Sequence, residues 1–357
     1  MKTTIFKILL AFFSAAFSLL ILEVGYRLHK QIPLLGNIQS ITQSDRTDRS
    51  MTFRRSLNGR VLYEPIPGAR SRYTGVENII SSQGLRDREY PLKKPENTYR
   101  IAFIGDSIVY GYGIPVEQTV SKQLEAMLNK NPKMKMKFEV INFGVPGWGT
   151  TQEVAWYQEK VKPFAPDLVI VGYCLNDSFV ASWEYGLFIN QRFPLWAKFY
   201  SIEAVLDGIR IASERRLFTT SAPQQRVNDP VFSGIKSIKD DIASIQPTLL
   251  TVFPGIRPFD KYGDLDIHKR VREAAAYYDI PHFDLFEPLS AYDYRQLRVQ
   301  QFVNTDEIHL GDFGNRIAAT AIMGWLTTQF SGRNIYMSDT PPNADTAVGP
   351  EMKSPSE

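Results

Sequence analysis

Three residues from distant parts of the chain could together perform acyl transfer. Acyl transfer by a serine needs a hydroxyl nucleophile, a base that takes its proton and an acid that orients the base. Ser107 closes the turn "GDS" that follows the apolar run Arg100–Ile104, and His309 lies three residues after Asp306. Gly, Asp and Ser are also ordinary turn formers. The elements around these residues must therefore decide between a nucleophile and a turn.

The reaction also needs donors for the oxyanion that forms in its transition state. The candidate donors are the backbone amides of Ser107 and Gly144 and the side-chain amide of Asn176. A glycine at 144 would let a substrate approach the backbone closely. Aromatic residues near these donors are the candidates for substrate contact, and they are Trp148, Trp183 and Tyr185.

Other residues with reactive side chains lie in sequence contexts that favour a catalytic role less. His268 lies in the charged segment "DLDIHKR" and His282 in the strand-like "IPHFDL", whereas Asp284 could compete with Asp306 as the orienting acid. Cys174 is the single cysteine, so an intrachain disulfide and a multi-cysteine metal site are excluded. It is expected to be a small apolar filler. No HExxH motif occurs, and neither a metal nor a cofactor is expected.

The net charge is +3 and the sequence has no dense block of Lys and Arg, so nothing in the composition indicates a nucleic-acid partner. The chain has 43% hydrophobic and 22% charged residues, which is typical of a globular protein.

From residue 100 onward, apolar runs and amphipathic segments alternate. The predicted strands are Arg100–Ile104, Phe138–Phe143, Leu168–Cys174, Thr248–Phe253 and Pro281–Leu285. The predicted helices are Val116–Leu128, Thr150–Lys162, Ser237–Ile245, Lys269–Tyr278 and Gly314–Phe330. This alternation predicts an α/β fold, a three-layer doubly wound parallel sheet of the flavodoxin-like kind. Ligands of such sheets bind beyond the carboxyl ends of the strands, where Ser107, Gly144, Asn176 and the loop with Asp306 and His309 are expected to meet.

The N-terminal segment 1–30 is predicted to be a signal anchor. From Ile5 to Tyr26 it just reaches the ~20 residues that a spanning helix needs. A cleaved signal peptide and a buried core helix are the alternatives. An anchor would make the protein a single-pass protein of the cytoplasmic membrane with an extracytoplasmic catalytic domain.

The remainder divides into three parts. Residues 31–99 are predicted to form a stalk and a small β-rich preface, residues 100–331 the main domain, and residues 332–357 a disordered tail. An aromatic-rich insert at 178–230 interrupts the main domain. It is expected to be a helical cap, and a lid that contacts the substrate is the alternative.

Four short stretches resemble the motif blocks of the SGNH hydrolases, also called GDSL esterases. They are "FIGDSIVYGYG", "NFGVPGWGTTQ", "CLND" and "DEIHL", in the order that the family shows. The resemblance covers roughly residues 100 to 330 and implies catalytic roles for Ser107, Asp306 and His309, with Gly144 and Asn176 as oxyanion donors. One departure is Cys174, where the family usually has glycine. The stretch "SSQGLRDREY" also resembles the segment ahead of the catalytic domain in membrane-anchored bacterial members.

The resemblance implies a serine ester hydrolase that forms an acyl-enzyme and releases the acid to water. Its substrate would be an O-acyl ester, with cell-surface glycans and lipids as candidates. One alternative is an O-acyltransferase that modifies an extracellular polysaccharide, in which a sugar hydroxyl replaces water. The other is a non-catalytic glycan-binding domain with a vestigial site.

Overall fold

The computed structural model describes residues 2–29, 52–72, 75–177, 229–300 and 306–330. The first of these stretches is one helix, α1 (Lys2–His29). Within the stretches described, no helix combines the length and the apolar character that a membrane crossing requires. The expected membrane-spanning helix is therefore not supported.

Two small antiparallel sheets precede the main domain. Strand β1 (Phe53–Arg55) pairs with β2 (Tyr63–Pro65), and β3 (Arg70–Ser71) pairs with β4 (Asn78–Ile79). Apolar side chains of this preface are buried in the same core as those of the main sheet, and they are Phe53, Val61, Tyr63, Leu85 and Tyr90. The preface is thus packed directly on the main domain.

The central sheet has five parallel strands in the order β6-β5-β7-β8-β9. Its strands are β5 (Thr98–Gly105), β6 (Lys137–Gly144), β7 (Leu168–Cys174), β8 (Thr248–Phe253) and β9 (His282–Asp284). All four pairings are parallel, which confirms the predicted α/β fold with a parallel sheet. Gly105 is in register with both Gly144 and Gly172, so the carboxyl ends of β5 and β6 lie at one edge.

Helices cover both faces of the sheet. They are α2 (Ser107–Tyr110), α3 (Val120–Lys130), α4 (Thr150–Trp156), α5 (Pro230–Ile238), α6 (Leu265–Tyr277), α7 (Phe286–Ser290), α8 (Tyr294–Leu297) and α9 (Asp312–Phe330). Side chains of α4, α5 and α6 pack with Ala102 and Ile104 of β5, whereas those of α3 and α9 pack with Ile101 and Phe103. Alternate residues of one buried strand therefore enter opposite layers.

The helix predicted at Ser237–Ile245 begins earlier in the structure than the sequence pattern indicated. Helix α5 begins at Pro230, because the Asp229 carboxylate accepts a hydrogen bond from Val231 N at 3.0 Å and caps the first turn. The predicted helix Thr150–Lys162 is α-helical only to Trp156 and then continues as a π-helix over Tyr157–Val161. The short helices α2, α7 and α8 were not predicted, since a single turn leaves no periodic pattern.

Several predictions fall on residues outside the described stretches. They concern most of the stalk, the aromatic insert with Trp183 and Tyr185, and the C-terminal tail. The predicted domain boundaries stay predictions.

Candidate active site

Ser107 is the first residue of α2, directly beyond the end of β5. The Asp106 carboxylate accepts a hydrogen bond from Ile108 N at 2.9 Å and so caps this helix. At the other end, Gly111 adopts a φ of 81° and its amide donates to Ser107 O at 3.1 Å. The sequence "GDS" is therefore both a turn and a helix start, and the Ser107 side chain is half-buried at the sheet edge.

Ser107, His309 and Asp306 form one chain of hydrogen bonds. His309 Nε2 lies 2.8 Å from Ser107 Oγ, and His309 Nδ1 lies 2.7 Å from Asp306 Oδ2. Because a carboxylate can only accept, Nδ1 carries the proton and Nε2 accepts from the serine hydroxyl. The structure thus brings together the three residues that the sequence singled out.

The Asp306 carboxylate is fixed by its own loop. Its Oδ1 accepts from the backbone amides of Ile308 at 3.0 Å and His309 at 2.9 Å. Burial opposes ionisation of this carboxyl, but the hydrogen bonds and the charge of His309, together with these two amides, hold its pKa below the ordinary value. Asp306 is therefore ionised at neutral pH and fixes the imidazole tautomer.

Three further contacts hold the imidazole of His309 and its loop. The Tyr112 ring stacks on the His309 ring, with centroids 4.2 Å apart and an interplanar angle of 19°. Ile256 N donates to Glu307 O at 2.5 Å and Val299 N donates to His309 O at 2.9 Å. Tyr112 was not predicted from the sequence, because the stacking joins residues that are distant along the chain.

Asn176 lies in a tight turn after β7. The Asp177 carboxylate accepts from Cys174 N at 2.6 Å, and Asp177 N donates to Cys174 O at 3.0 Å, which fixes the turn. Asn176 Oδ1 is buried without a hydrogen-bond partner. No described residue engages the side-chain amide of Asn176, which stays available to a ligand.

Gly144 does not fit its predicted role as an oxyanion donor. Its N–H already donates to Asn142 Oδ1 at 2.9 Å. A Cβ at this position would lie 2.2 Å from Tyr110 N, so the glycine allows α2 to pack closely on β6. The sequence could not show that this amide is already bonded.

Gly147 is the better candidate in the same loop. It adopts a φ of 76° and is half-buried, and its N–H has no acceptor among the described residues. A sequence signal was present, since Gly147 is the second glycine of "NFGVPG".

Trp148 does not fit its predicted role in substrate contact. Its side chain is 1% exposed and packs edge-to-face on Trp156, with ring centroids 5.1 Å apart. It is a core residue that supports the loop after β6. Trp183 and Tyr185 lie outside the described residues.

Three buried acids lie around the turn that carries Asn176. Burial raises the pKa of Asp106, Glu153 and Asp177, and neighbouring carboxylates raise those of Glu153 and Asp177 further. Both carboxyl oxygens of Glu153 are buried without a hydrogen-bond partner. Nowhere in the described residues do three or more His, Cys, Asp or Glu side chains form a group able to hold a metal ion.

Cys174 is a free, buried thiol, and burial raises its pKa well above the ordinary value. This environment fits the predicted role of an apolar filler.

Asp284 does not orient His309. It lies 3.0 Å from His268 Nδ1, and His268 Nε2 lies 2.9 Å from the Tyr262 hydroxyl. The Tyr262 hydroxyl in turn accepts a hydrogen bond from Gly255 N at 3.0 Å. The next residue, Ile256, donates its N–H to Glu307 O. This second histidine thus supports a neighbouring loop from a fully buried position.

A parallel α/β sheet with a serine, a histidine and an aspartate in hydrogen-bond contact at its carboxyl edge is typical of serine hydrolases. The sequence profile of the GDSL-like Lipase/Acylhydrolase family matches residues 103–317, and the chain belongs to this family. The family predicted from the motif blocks is thereby confirmed, and it makes the protein an ester hydrolase by class.

The chain is also similar to several solved structures. The lipase/acylhydrolase from Enterococcus faecalis is 17% identical, covers 65% of this chain and 96% of its own, and has a TM-score of 0.40. A lipolytic G-D-S-L protein from Veillonella parvula DSM 2008 is 16% identical over 64% and 97% of the two chains, with a TM-score of 0.39. A two-domain esterase active on acetylated mannans is 17% identical over 65% and 49%, with a TM-score of 0.39. No curated protein shows significant similarity to the chain.

Proposed function

We propose that the protein hydrolyses a carboxylic ester through an acyl-enzyme on Ser107. The observation that carries this proposal is the hydrogen-bonded chain from Ser107 Oγ through His309 to Asp306, with distances of 2.8 and 2.7 Å. Such a chain supplies a nucleophile, a base and an acid that keeps the base in the correct tautomer.

In the first half-reaction, Ser107 Oγ bonds to the ester carbonyl carbon and its proton passes to His309 Nε2. The carbonyl oxygen becomes an oxyanion, for which the candidate donors are the amides of Ser107 and Gly147 and the side chain of Asn176. The carbon–oxygen bond to the alcohol then breaks, and His309 returns its proton to the leaving oxygen. Asp306 stabilises the imidazolium between these two transfers.

In the second half-reaction, water takes the place of the alcohol. His309 accepts a proton from the water while the water oxygen bonds to the acyl carbon. The bond to Ser107 Oγ breaks, the acid is released, and the proton returns to the serine. All the protons are thus exchanged through one imidazole nitrogen.

The test is a comparison of Ser107→Ala with Ser237→Ala. Ser237 is a matched control because its exposed hydroxyl only donates to Ser233 O. With p-nitrophenyl acetate and butyrate as substrates, Ser107→Ala should lower kcat by about 10⁴- to 10⁶-fold, whereas Ser237→Ala should not. A fluorophosphonate probe should label the wild type and Ser237→Ala at Ser107 only. Activity of Ser107→Ala within about tenfold of the wild type would remove Ser107 as the nucleophile.

The substrate and the location go beyond the family assignment. We propose that the substrate is the O-acyl ester of a cell-surface glycan or lipid. From the N-terminal sequence we also propose an extracytoplasmic location. Incubation with acetylated glycans, with and without an added acceptor sugar, tests the substrate. Free acetate indicates hydrolysis, and an acetylated acceptor indicates acyl transfer instead.

A further inference from the structure

A segment ahead of the family match reaches the helix that carries the candidate nucleophile. The match begins at residue 103, whereas Arg86 lies in the preface. Arg86 Nη1 donates to Tyr110 O and Gly111 O, each at 2.8 Å, and Nη2 donates to Ile114 O at 2.6 Å. One guanidinium, only 2% exposed, therefore binds three carbonyls at and beyond the end of α2.

We propose that Arg86 is a positioning residue for Ser107 and acts by fixing the carboxyl end of α2. This inference rests on the proposed function, since it concerns the same nucleophile. Helix α2 has four residues, and a single turn has little stability of its own. The carbonyls at its end lack partners within the helix and need external donors. Asp106 fixes the start of the helix and Arg86 fixes its end, with Ser107 between them.

The local backbone is adapted to this contact. Gly111 adopts a φ of 81°, which side-chain-bearing residues rarely do. A Cβ at Gly111 would lie 2.3 Å from Thr119 Cγ2 and 3.2 Å from Arg86 Nη1. The guanidinium also lies 4.9 Å from the centroid of the Tyr110 ring. The turn after α2 is thus shaped to receive the arginine.

The preface also holds the loop that carries the candidate oxyanion donor. The Tyr63 hydroxyl donates to Pro146 O at 2.5 Å, one residue before Gly147. Asp87 Oδ2 accepts from Asn142 N at 2.9 Å, and Asn142 Nδ2 donates to Val109 O at 2.8 Å. The nucleophile helix and the oxyanion loop are therefore tied to the same preface, which makes Tyr63, Arg86 and Asp87 part of the catalytic scaffold.

The experiment compares Arg86→Gln and Arg86→Lys with Arg88→Gln in the full chain. Arg88 is the matched control, since its half-exposed side chain binds Glu125 of α3 at 2.7 Å and not α2. Four quantities are measured for each variant: kcat and KM on p-nitrophenyl acetate, the rate of fluorophosphonate labelling, and the rate of amide hydrogen exchange of the peptide 106–114. Arg86→Lys, which keeps the positive charge, serves if Arg86→Gln does not fold, and Tyr63→Phe, which removes the hydrogen bond to Pro146 O, tests the oxyanion loop separately.

Arg86→Gln should lower kcat and the labelling rate by about 10²-fold with KM nearly unchanged, because misplacing the attacking atom by about 1 Å costs that much. Arg86→Lys should recover part of this loss, and peptide 106–114 should exchange faster in Arg86→Gln than in Arg88→Gln. Tyr63→Phe should also lower kcat, but by less than the about 10²- to 10³-fold that loss of a direct oxyanion donor costs. If kcat, labelling and exchange of Arg86→Gln equal those of Arg88→Gln, the inference is wrong while the proposed function stands. If the wild type neither turns over esters nor reacts with the probe, the proposed function fails. Faster exchange of peptide 106–114 in Arg86→Gln without a loss of kcat or labelling would mean that Arg86 stabilises α2 but does not position Ser107.

Discussion

Ser107 and His309 are 202 positions apart in the sequence but share a hydrogen bond in the folded chain. Both residues could be predicted because each lies in a short local pattern, with the serine at a strand end and the histidine three residues after an acid. The role of Gly144 could not be predicted in this way. Whether its amide is free depends on Asn142, whose side chain is oriented by the hydrogen bond from its Nδ2 to Val109 O of α2. Spacing along the chain carries no information about such a contact.

Tyr112 is a residue whose effect can be measured on its own. Its ring stacks on His309 at 4.2 Å and should hold the imidazole in line with Ser107. Aromatic pairs contribute about 0.5–1.5 kcal/mol, so Tyr112→Leu should lower kcat for p-nitrophenyl acetate by about 2- to 10-fold. Tyr112→Phe keeps the ring and is the control. Equal kcat values for the Leu and Phe variants would show that the stacking does not assist the histidine.

At the scale of elements, the buried strands were the most predictable part. Strands β7 and β8 have the bounds that the sequence predicted, because their continuous apolar runs end at polar clusters. Helix α5 was placed seven residues too late, since its start depends on the cap at Asp229 rather than on periodicity. Helix α2 is a single turn, and its existence depends on side chains that cap it from both sides.

The close packing of α2 on β6 predicts a large effect of one methyl group. In Gly144→Ala the new Cβ would meet backbone atoms of Val109 and Tyr110 at 2.2 to 2.8 Å, and these cannot rotate away. The free energy of unfolding in urea should fall by about 1–3 kcal/mol, and kcat should fall because α2 carries Ser107.

Gly324→Ala is the control for this substitution. Gly324 lies within α9 with no atom near the position of a new Cβ, so alanine there should stabilise the helix by about 0.5–1 kcal/mol. A Gly144→Ala protein as stable as the wild type would mean that α2 and β6 are not closely packed.

At the scale of the whole molecule, the position of the preface was the least predictable feature. The sequence indicated a small β-rich segment, but not that Tyr63 and Arg86 would be buried against the site. Such long-range packing is decided by which surfaces the central sheet leaves uncovered. Glu153 of α4, a carboxyl group with no hydrogen-bond partner, is also buried inside the protein.

The burial of Glu153 predicts how the stability of the molecule depends on pH. Burial, and then the charge of Asp106, raises its pKa in the folded chain well above the value of about 4.3 expected for an unfolded chain. Between these two values the folded state binds more protons than the unfolded state, so this group makes the free energy of unfolding fall as pH rises.

Glu153→Gln removes the titration and keeps the shape of the side chain. Its free energy of unfolding should exceed that of the wild type by about 1–3 kcal/mol at pH 8 and by less at pH 5. Urea denaturation at both pH values measures this difference, and Glu159→Gln is the control because Glu159 is exposed on the next turn. If Glu153→Gln gains no more stability at pH 8 than at pH 5, Glu153 is not held protonated in the folded chain.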